Sequence, residues 1–249
     1  ALEKEQFGLQ YQPKMDLVRG SVDSLGALVR GHLPGGEVLS PMAFLPDLER
    51  SDLEVRFGEA MIEQALSQVS QWAAEGVALA VSVNVSGPHL LSTGFVESLA
   101  GLLKRHPGCS PECLALEIVE SAAVNDLERA IRVLNDVRKL GVQVSLDDFG
   151  TGYSSLSHLR SLPVDEVKVD QGFVRDMLED ISDRNIVQSV ISLAAAFSLR
   201  VVAEGVETQA HVDALRELGC QLGQGYVFAR PMPADEVPAW IARQSSTSS

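Results

Sequence analysis

At 249 residues and 45% hydrophobic content, the chain has the size of one α/β barrel built around a large core. It contains no uncharged apolar run of about 18 residues, so nothing in it reads as membrane-spanning and no membrane contact is expected. Its net charge is −14, with Lys and Arg scattered along the chain, which excludes the basic footprint needed to bind a nucleic-acid polymer.

The opening residues, Ala1 to Gln6, have neither a basic n-region nor an apolar h-region and do not read as a signal peptide. No initiator Met precedes them, and a piece of a longer protein is expected. Cys109, Cys113 and Cys220 are an odd number without paired ligand spacing, which suits a reduced, cytoplasmic setting. No linker or low-complexity segment interrupts the chain before its Ser/Thr end. One domain is therefore expected over 1–243, with 244–249 a disordered tail.

In chain order, strands are expected at Phe7–Pro13, Val22–Arg30, Ala78–Val85, Leu114–Glu120, Val142–Asp147, Glu166–Val169, Arg200–Ala203 and Gln221–Val227. Helices fill the intervals. Apolar stripes at helical spacing run through Met61, Ala65, Val69 and Trp72, then Leu127, Ile131 and Leu134, then Ile186, Val190, Leu193 and Phe197. Gly141 and Gly219 stand where helices end, and Thr208 can cap the start of the next. The alternation predicts a (β/α)8 TIM-like barrel, with an open doubly wound sheet as the alternative. Only about eight residues, around Arg19-Gly20, separate the first two strands. That is too short for a crossover helix, so one antiparallel strand is expected near the N-terminus.

Function in a parallel barrel collects at the C-terminal ends of the strands, and here those ends are polar. They carry Asn84, Glu117 with Glu120, Asp147-Asp148, Lys168, Glu204 with Glu207, and Gln224. Barrel closure should bring Asn84, Glu117, Asp147, Asp148 and Glu204 to one mouth. Carboxylates this close need cations to stay ionised, and oxygen ligands with one amide suit Mg²⁺ or Mn²⁺. Adjacent aspartates can hold two ions about 4 Å apart, as in-line phosphoryl displacement requires, with Lys168 offsetting phosphate charge or holding the attacking water. The five histidines fall in no ligand spacing, and Gly150-Thr-Gly152 has no dinucleotide-binding context.

These residues resemble the EAL family of cyclic di-GMP phosphodiesterases from about Phe7 to Ile241. The match runs through Tyr11-Gln-Pro13, Asn84, Glu117, Glu120, Asp147 to Leu156, Leu162 to Asp165, Lys168, Val202 to Thr208 and Gln224-Gly-Tyr226. The resemblance implies that Asn84, Glu117 and Asp147 hold one Mg²⁺ or Mn²⁺, with Asp147 bridging to a second held by Asp148. It implies that Lys168 and Glu204 position or activate water, and that Glu120 braces the loop after Asp148. Gln12, Leu28, Arg30, Asp170, Glu207 and Gln224 are the implied ligand-binding positions. The implied reaction opens cyclic di-GMP to linear 5′-pGpG. A homodimer through helices near Asp148 and an upstream sensor or diguanylate-cyclase-like domain are implied as partners.

One departure bears on all of this. The signature Glu-Ala-Leu-x-Arg reads Gly26-Ala27-Leu28-Val29-Arg30, so a metal-ligand Glu is replaced by Gly26. Gly31 also stands where the family usually has Trp. The reading is a cyclic di-GMP-binding barrel with impaired hydrolysis; the alternative is a catalytically silent receptor module signalling to a partner domain.

Overall fold

The first two strands, β1 (Phe7–Asp16) and β2 (Val22–His32), form an antiparallel hairpin. The Asp16 carboxylate makes the turn by accepting from the amides of Val18 and Arg19, both at 2.8 Å, and Gly20 supplies the positive φ of 68°. The computed structural model describes residues 6–33, 35–48, 51–120, 126–150 and 156–247. A short β3 (Val38–Leu39) folds back on β2, and α1 (Leu45–Leu48) and α2 (Glu54–Ala74) follow. Next come β4 (Ala80–Val85), α3 (Gly87–Leu90), α4 (Phe95–Arg105), β5 (Leu114–Val119), α5 (Leu127–Lys139), β6 (Gln143–Phe149) and α6 (Leu156–Ser161). The chain closes with β7 (Glu166–Val169), α7 (Gln171–Asp176), α8 (Ile181–Ala196), β8 (Arg200–Ala203), α9 (Gln209–Glu217), β9 (Leu222–Gln224) and α10 (Val237–Thr247).

The sheet runs β1-β9-β8-β7-β6-β5-β4-β2, and β1 also pairs with β2, so eight strands close into a barrel. Only β1 runs against both of its neighbours; β2 and β4 to β9 are parallel. This is the reversed strand that the short connection required. The expected strands are all present, with β4 beginning at Ala80, β6 continuing to Phe149 and β9 ending at Gln224.

Helix packing follows the apolar stripes. Met61, Ala65, Val69 and Trp72 are all buried on α2, each large side chain contributing about 1.5–3 kcal/mol. Leu134 is buried on α5, while Leu127 and Ile131 pack against the core from its margin. On α8 the seam is Val187, Val190, Ile191 and Ala194, one residue round from the predicted one. Phe197 is not on it: α8 ends at Ala196, Ser198 takes φ 58°, and the Phe197 ring is left 38% exposed. Thr208 caps α9 by accepting from the His211 amide, and Gly141 and Gly219 take positive φ after α5 and α9. α10 continues through Thr247, into the stretch 244–247 assigned to a tail; Ser248 and Ser249 lie outside the described residues.

Directly after β9, the chain passes against the turn that follows β8. The Val206 amide donates to Gln224 O and its carbonyl accepts from Val227, each at 3.1 Å. A Cβ on Gly225 would collide with the backbone O and N of Val206, which cannot step aside. Gly225→Ala should therefore lower the free energy of unfolding by about 3 kcal/mol or more, measured by urea denaturation. Unchanged stability would mean that this closure is not tight.

Candidate active site

Consecutive residues of a strand point to opposite faces, so Asp147 and Asp148 should not meet on one. They do, because β6 is broken there. Its register with β7 slips between Leu146 and Phe149, and Asp148 takes φ 54°, an uncommon left-handed conformation for a residue with a side chain. The Asp148 amide donates to Asp147 Oδ1 at 2.9 Å, which holds the kink. One oxygen each of Asp147, Asp148 and Glu204 then lies within 4.8 Å of the others at the strand ends.

Lys168 stands at the centre of this group. Its Nζ is 2.6 Å from Glu204 Oε1, 2.9 Å from Glu117 Oε2 and 3.0 Å from Asp147 Oδ2. Burial disfavours the ammonium, but these three carboxylates outweigh it and hold the Lys168 pKa well above the usual value. Burial also disfavours the Glu117 anion; Lys14 and Lys168 outweigh it and keep the carboxyl far below its ordinary range. Glu204 is pushed up to about 7, by burial first, then by Asp147 and Glu117, against the pull of Lys168. Burial, then Asp147 and Asp170, raise Asp148 above its ordinary value.

Below this layer lies a charge arrangement that strand-end reasoning missed. Lys14 Nζ, from β1, donates to Glu117 Oε1 at 2.8 Å and to Glu166 Oε1 at 3.2 Å. Glu166 also accepts from Ser145 Oγ at 3.0 Å and pairs with Arg200, which reaches Asp23 at 3.2 Å. β1, β5 and β7 are not neighbours, so these contacts cross the barrel lumen. Lys14 occurs in the Tyr11-Gln-Pro-Lys14 run, where alternation from Gln12 puts both on the inward face. That period of two was the available signal.

Other predicted residues fall into two groups. Gln12, Leu28, Glu117, Lys168, Glu204, Glu207 and Gln224 line one cavity of about 230 Å³, together with Gly26 and Tyr226. Gln12 donates to Ala229 O at 3.0 Å, and Gln224 Nε2 lies 3.3 Å from Gln12 Oε1. Asn84 stands beside this group, its amide nitrogen 3.2 Å from Glu117 Oε2. Arg30 and Asp170 lie outside the cavity lining. The Arg30 guanidinium donates to Gln10 Oε1 at 3.1 Å and to Val29 O at 2.8 Å, and Asp170 caps α7 through the Gly172 amide. Glu120 is buried just past β5. Most of the loop it was expected to brace, 151–155, lies outside the described residues.

The space that a side chain at Gly26 would use is filled. A Cβ there would lie 2.7 Å from Gln224 Nε2. The three converging carboxylates suit a hard divalent cation, since they offer oxygen alone. Among the described residues, no helix is long and apolar enough to cross a membrane.

Comparison with known proteins agrees with this geometry. The EAL domain family matches residues 1–231. The chain is 39% identical over 243 residues to the bifunctional diguanylate cyclase/cyclic di-GMP phosphodiesterase MucR of Pseudomonas aeruginosa, covering 97% of this chain and 35% of that protein. It is 38% identical over 245 residues to the cyclic di-GMP phosphodiesterase PdeR of Escherichia coli, covering 98% of this chain and 36% of that one. It thus spans about a third of the length of these curated relatives. Among solved structures, the PaMucR phosphodiesterase in complex with c-di-GMP superposes with a TM-score of 0.91 at 38% identity, covering 95% and 96% of the two chains.

The raised pKa of Glu204 has a consequence for the metal-free protein. Its proton leaves near pH 4.5 in the unfolded chain but near pH 7 in the folded one. Protonation therefore favours folding in that window, and the contribution fades as pH rises from 4.5 to about 7. In chelator, the melting temperature should fall across this range relative to a Glu204→Gln variant, whose curve lacks this slope. Parallel melting curves for the two proteins would refute the assignment.

Proposed function

Because this chain belongs to the EAL domain family of cyclic di-GMP phosphodiesterases, we propose that its barrel mouth binds cyclic di-GMP and hydrolyses it slowly to linear 5′-pGpG. The observation that carries this reading is the convergence of Asp147, Asp148 and Glu204 around Lys168 at the strand ends. The family generally depends on a divalent metal, and Asn84, Glu117, Asp147 and Asp148 would hold Mg²⁺ or Mn²⁺ here. Bound there, the metal would supply a polarised phosphate and an acidified water.

The protein's own groups have distinct tasks in this scheme. Lys168 orients the water that attacks phosphorus, and Glu204 takes its proton, a role suited to a carboxyl titrating near neutrality. The new bond is water oxygen to phosphorus; the bond broken is phosphorus to the 3′ oxygen, which leaves and takes a proton from solvent, while Glu204 gives the water's proton back to solvent. Gln12, Leu28, Glu207 and Gln224 face the nucleotide from the cavity wall. Arg30 and Asp170 act from its rim, where Arg30 must release Gln10 to reach a phosphate. We place the domain in the cytoplasm as a homodimer, with an upstream domain supplying its input.

Gly26 is what slows the reaction. It offers no ligand, and the amide of Gln224 fills the space above it. Loss of a supporting group around a metal commonly costs about 10–100-fold in affinity or activity, and loss of a charged ligand costs at least that. The same observation favours the second reading, a silent receptor that binds cyclic di-GMP without turnover. Calorimetry with cyclic di-GMP in Ca²⁺, followed by product analysis in Mg²⁺ or Mn²⁺, separates the two.

Arg30→Ala should weaken cyclic di-GMP binding by about tenfold or more, as expected for a lost charge-assisted phosphate contact. Parental affinity in a calorimetric titration would remove Arg30 from the site. Gly26→Glu should raise the rate of pGpG formation by about one to three orders of magnitude, or about 1.4–4 kcal/mol of barrier. It should also lower the Mn²⁺ concentration needed for half-maximal rate. The new side chain must push aside the terminal amide of Gln224, so rescue will be partial where Gln224 also serves the nucleotide. A properly folded variant with unchanged rate and metal requirement would show that the missing carboxylate is not the limiting defect.

A further inference from the structure

We infer that Lys14 is a positioning residue for the metal site: held from below, its ammonium pins one oxygen of Glu117 so that the other faces the mouth. The inference rests on the metal-site reading above and adds to it a residue from the opposite side of the lumen. Glu117 has its two oxygens divided. Oε1 receives Lys14 at 2.8 Å, and Oε2 faces Lys168 at 2.9 Å and Asn84 at 3.2 Å. A carboxylate free at both ends can rotate and can chelate with either or both oxygens. Anchored at Oε1, it presents Oε2 as a single donor in a set direction.

The anchor is itself fixed. Lys14 is 1% exposed, and its second contact is Glu166 Oε1 at 3.2 Å. Glu166 is 3% exposed and accepts from Ser145 Oγ at 3.0 Å, while its other oxygen lies 3.0 Å from Arg200 as an ion pair without a formed hydrogen bond. Arg200 continues to Asp23 near the opposite end of the lumen. Each link is short, and a side chain from β1 therefore governs the orientation of a ligand on β5. Lys14 does not line the mouth cavity and acts through Glu117.

A merely structural Lys14, balancing buried charge and nothing more, would have the same contacts, so the test must separate stability from orientation. Lys14→Met leaves Glu117 and Glu166 buried with one cation fewer, and should lower the melting temperature sharply. Lys14→Met/Glu166→Gln removes one charge of each sign and should restore most of it, while Glu117 Oε1 still lacks its anchor. Mn²⁺ is then titrated calorimetrically into the full chain without nucleotide. The expected result is about 10–100-fold weaker Mn²⁺ binding by the double variant than by the parent, at recovered stability. Parental Mn²⁺ affinity in the double variant would overturn the inference while leaving the metal site standing. A parent that binds no Mn²⁺ would overturn both. Should the double variant not fold, Lys14→Arg makes the same distinction. It keeps the charge and moves the donors, so weaker Mn²⁺ binding supports positioning and unchanged binding refutes it.

Discussion

The lumen of this barrel is filled by charge, and the charges must neutralise one another in sequence. Asp23, Arg200, Glu166, Lys14, Glu117 and Lys168 alternate in sign from one end of the lumen to the mouth, where Asp147 and Glu204 surround Lys168. Many barrels fill the same space with layers of branched apolar side chains. Desolvating so many ions is costly, and a chain of buried ion pairs adds little net stability over an apolar filling. What the arrangement provides is direction, because each side chain is held at both ends by partners of opposite sign. The cost of breaking it falls on whichever ion loses its partner.

That order accounts for the state of the mouth. The ladder ends in more carboxylates than cations; burial first, and then this excess, drives Glu204 towards a neutral form, while the same carboxylates hold Lys168 firmly charged. A divalent cation is the natural complement of such a site. The kink at Asp148 adds to the excess by turning a second aspartate to the same face, against the alternation of its strand. Strain and repulsion are thus concentrated at the strand ends, on a rigid sheet able to bear them.

Gly26 is the exception on the inward face. It pairs with Gln12 and Ser82 across β1 and β4. Its place is not left open, since Gln224 leans over it and interacts with Gln12. Closing the barrel through the antiparallel β1 is what brings Gln12, Gly26 and Gln224 together. The glycine and the amide pair are therefore one feature of the packing.

Much of this was legible in the residues themselves. The alternation of strands and helices, the reversed β1 and the polar strand ends all follow from local spacing and side-chain chemistry. The amphipathic seam of α8 was legible only to within one residue, because helical period alone does not set where the helix ends or which edge the sheet covers. The ion ladder was not legible. Lys14 meets partners 103 and 152 residues away, and strand periodicity says that a side chain faces inward without saying which charge it meets across a closed lumen. Sequence put Asp148 at the mouth but did not show the means, a left-handed φ at a slip in the register against β7 that turns it to the face of Asp147. Local chemistry determined which groups the mouth contains; barrel closure decided which of them touch, because only closure sets distances between strands that are not neighbours.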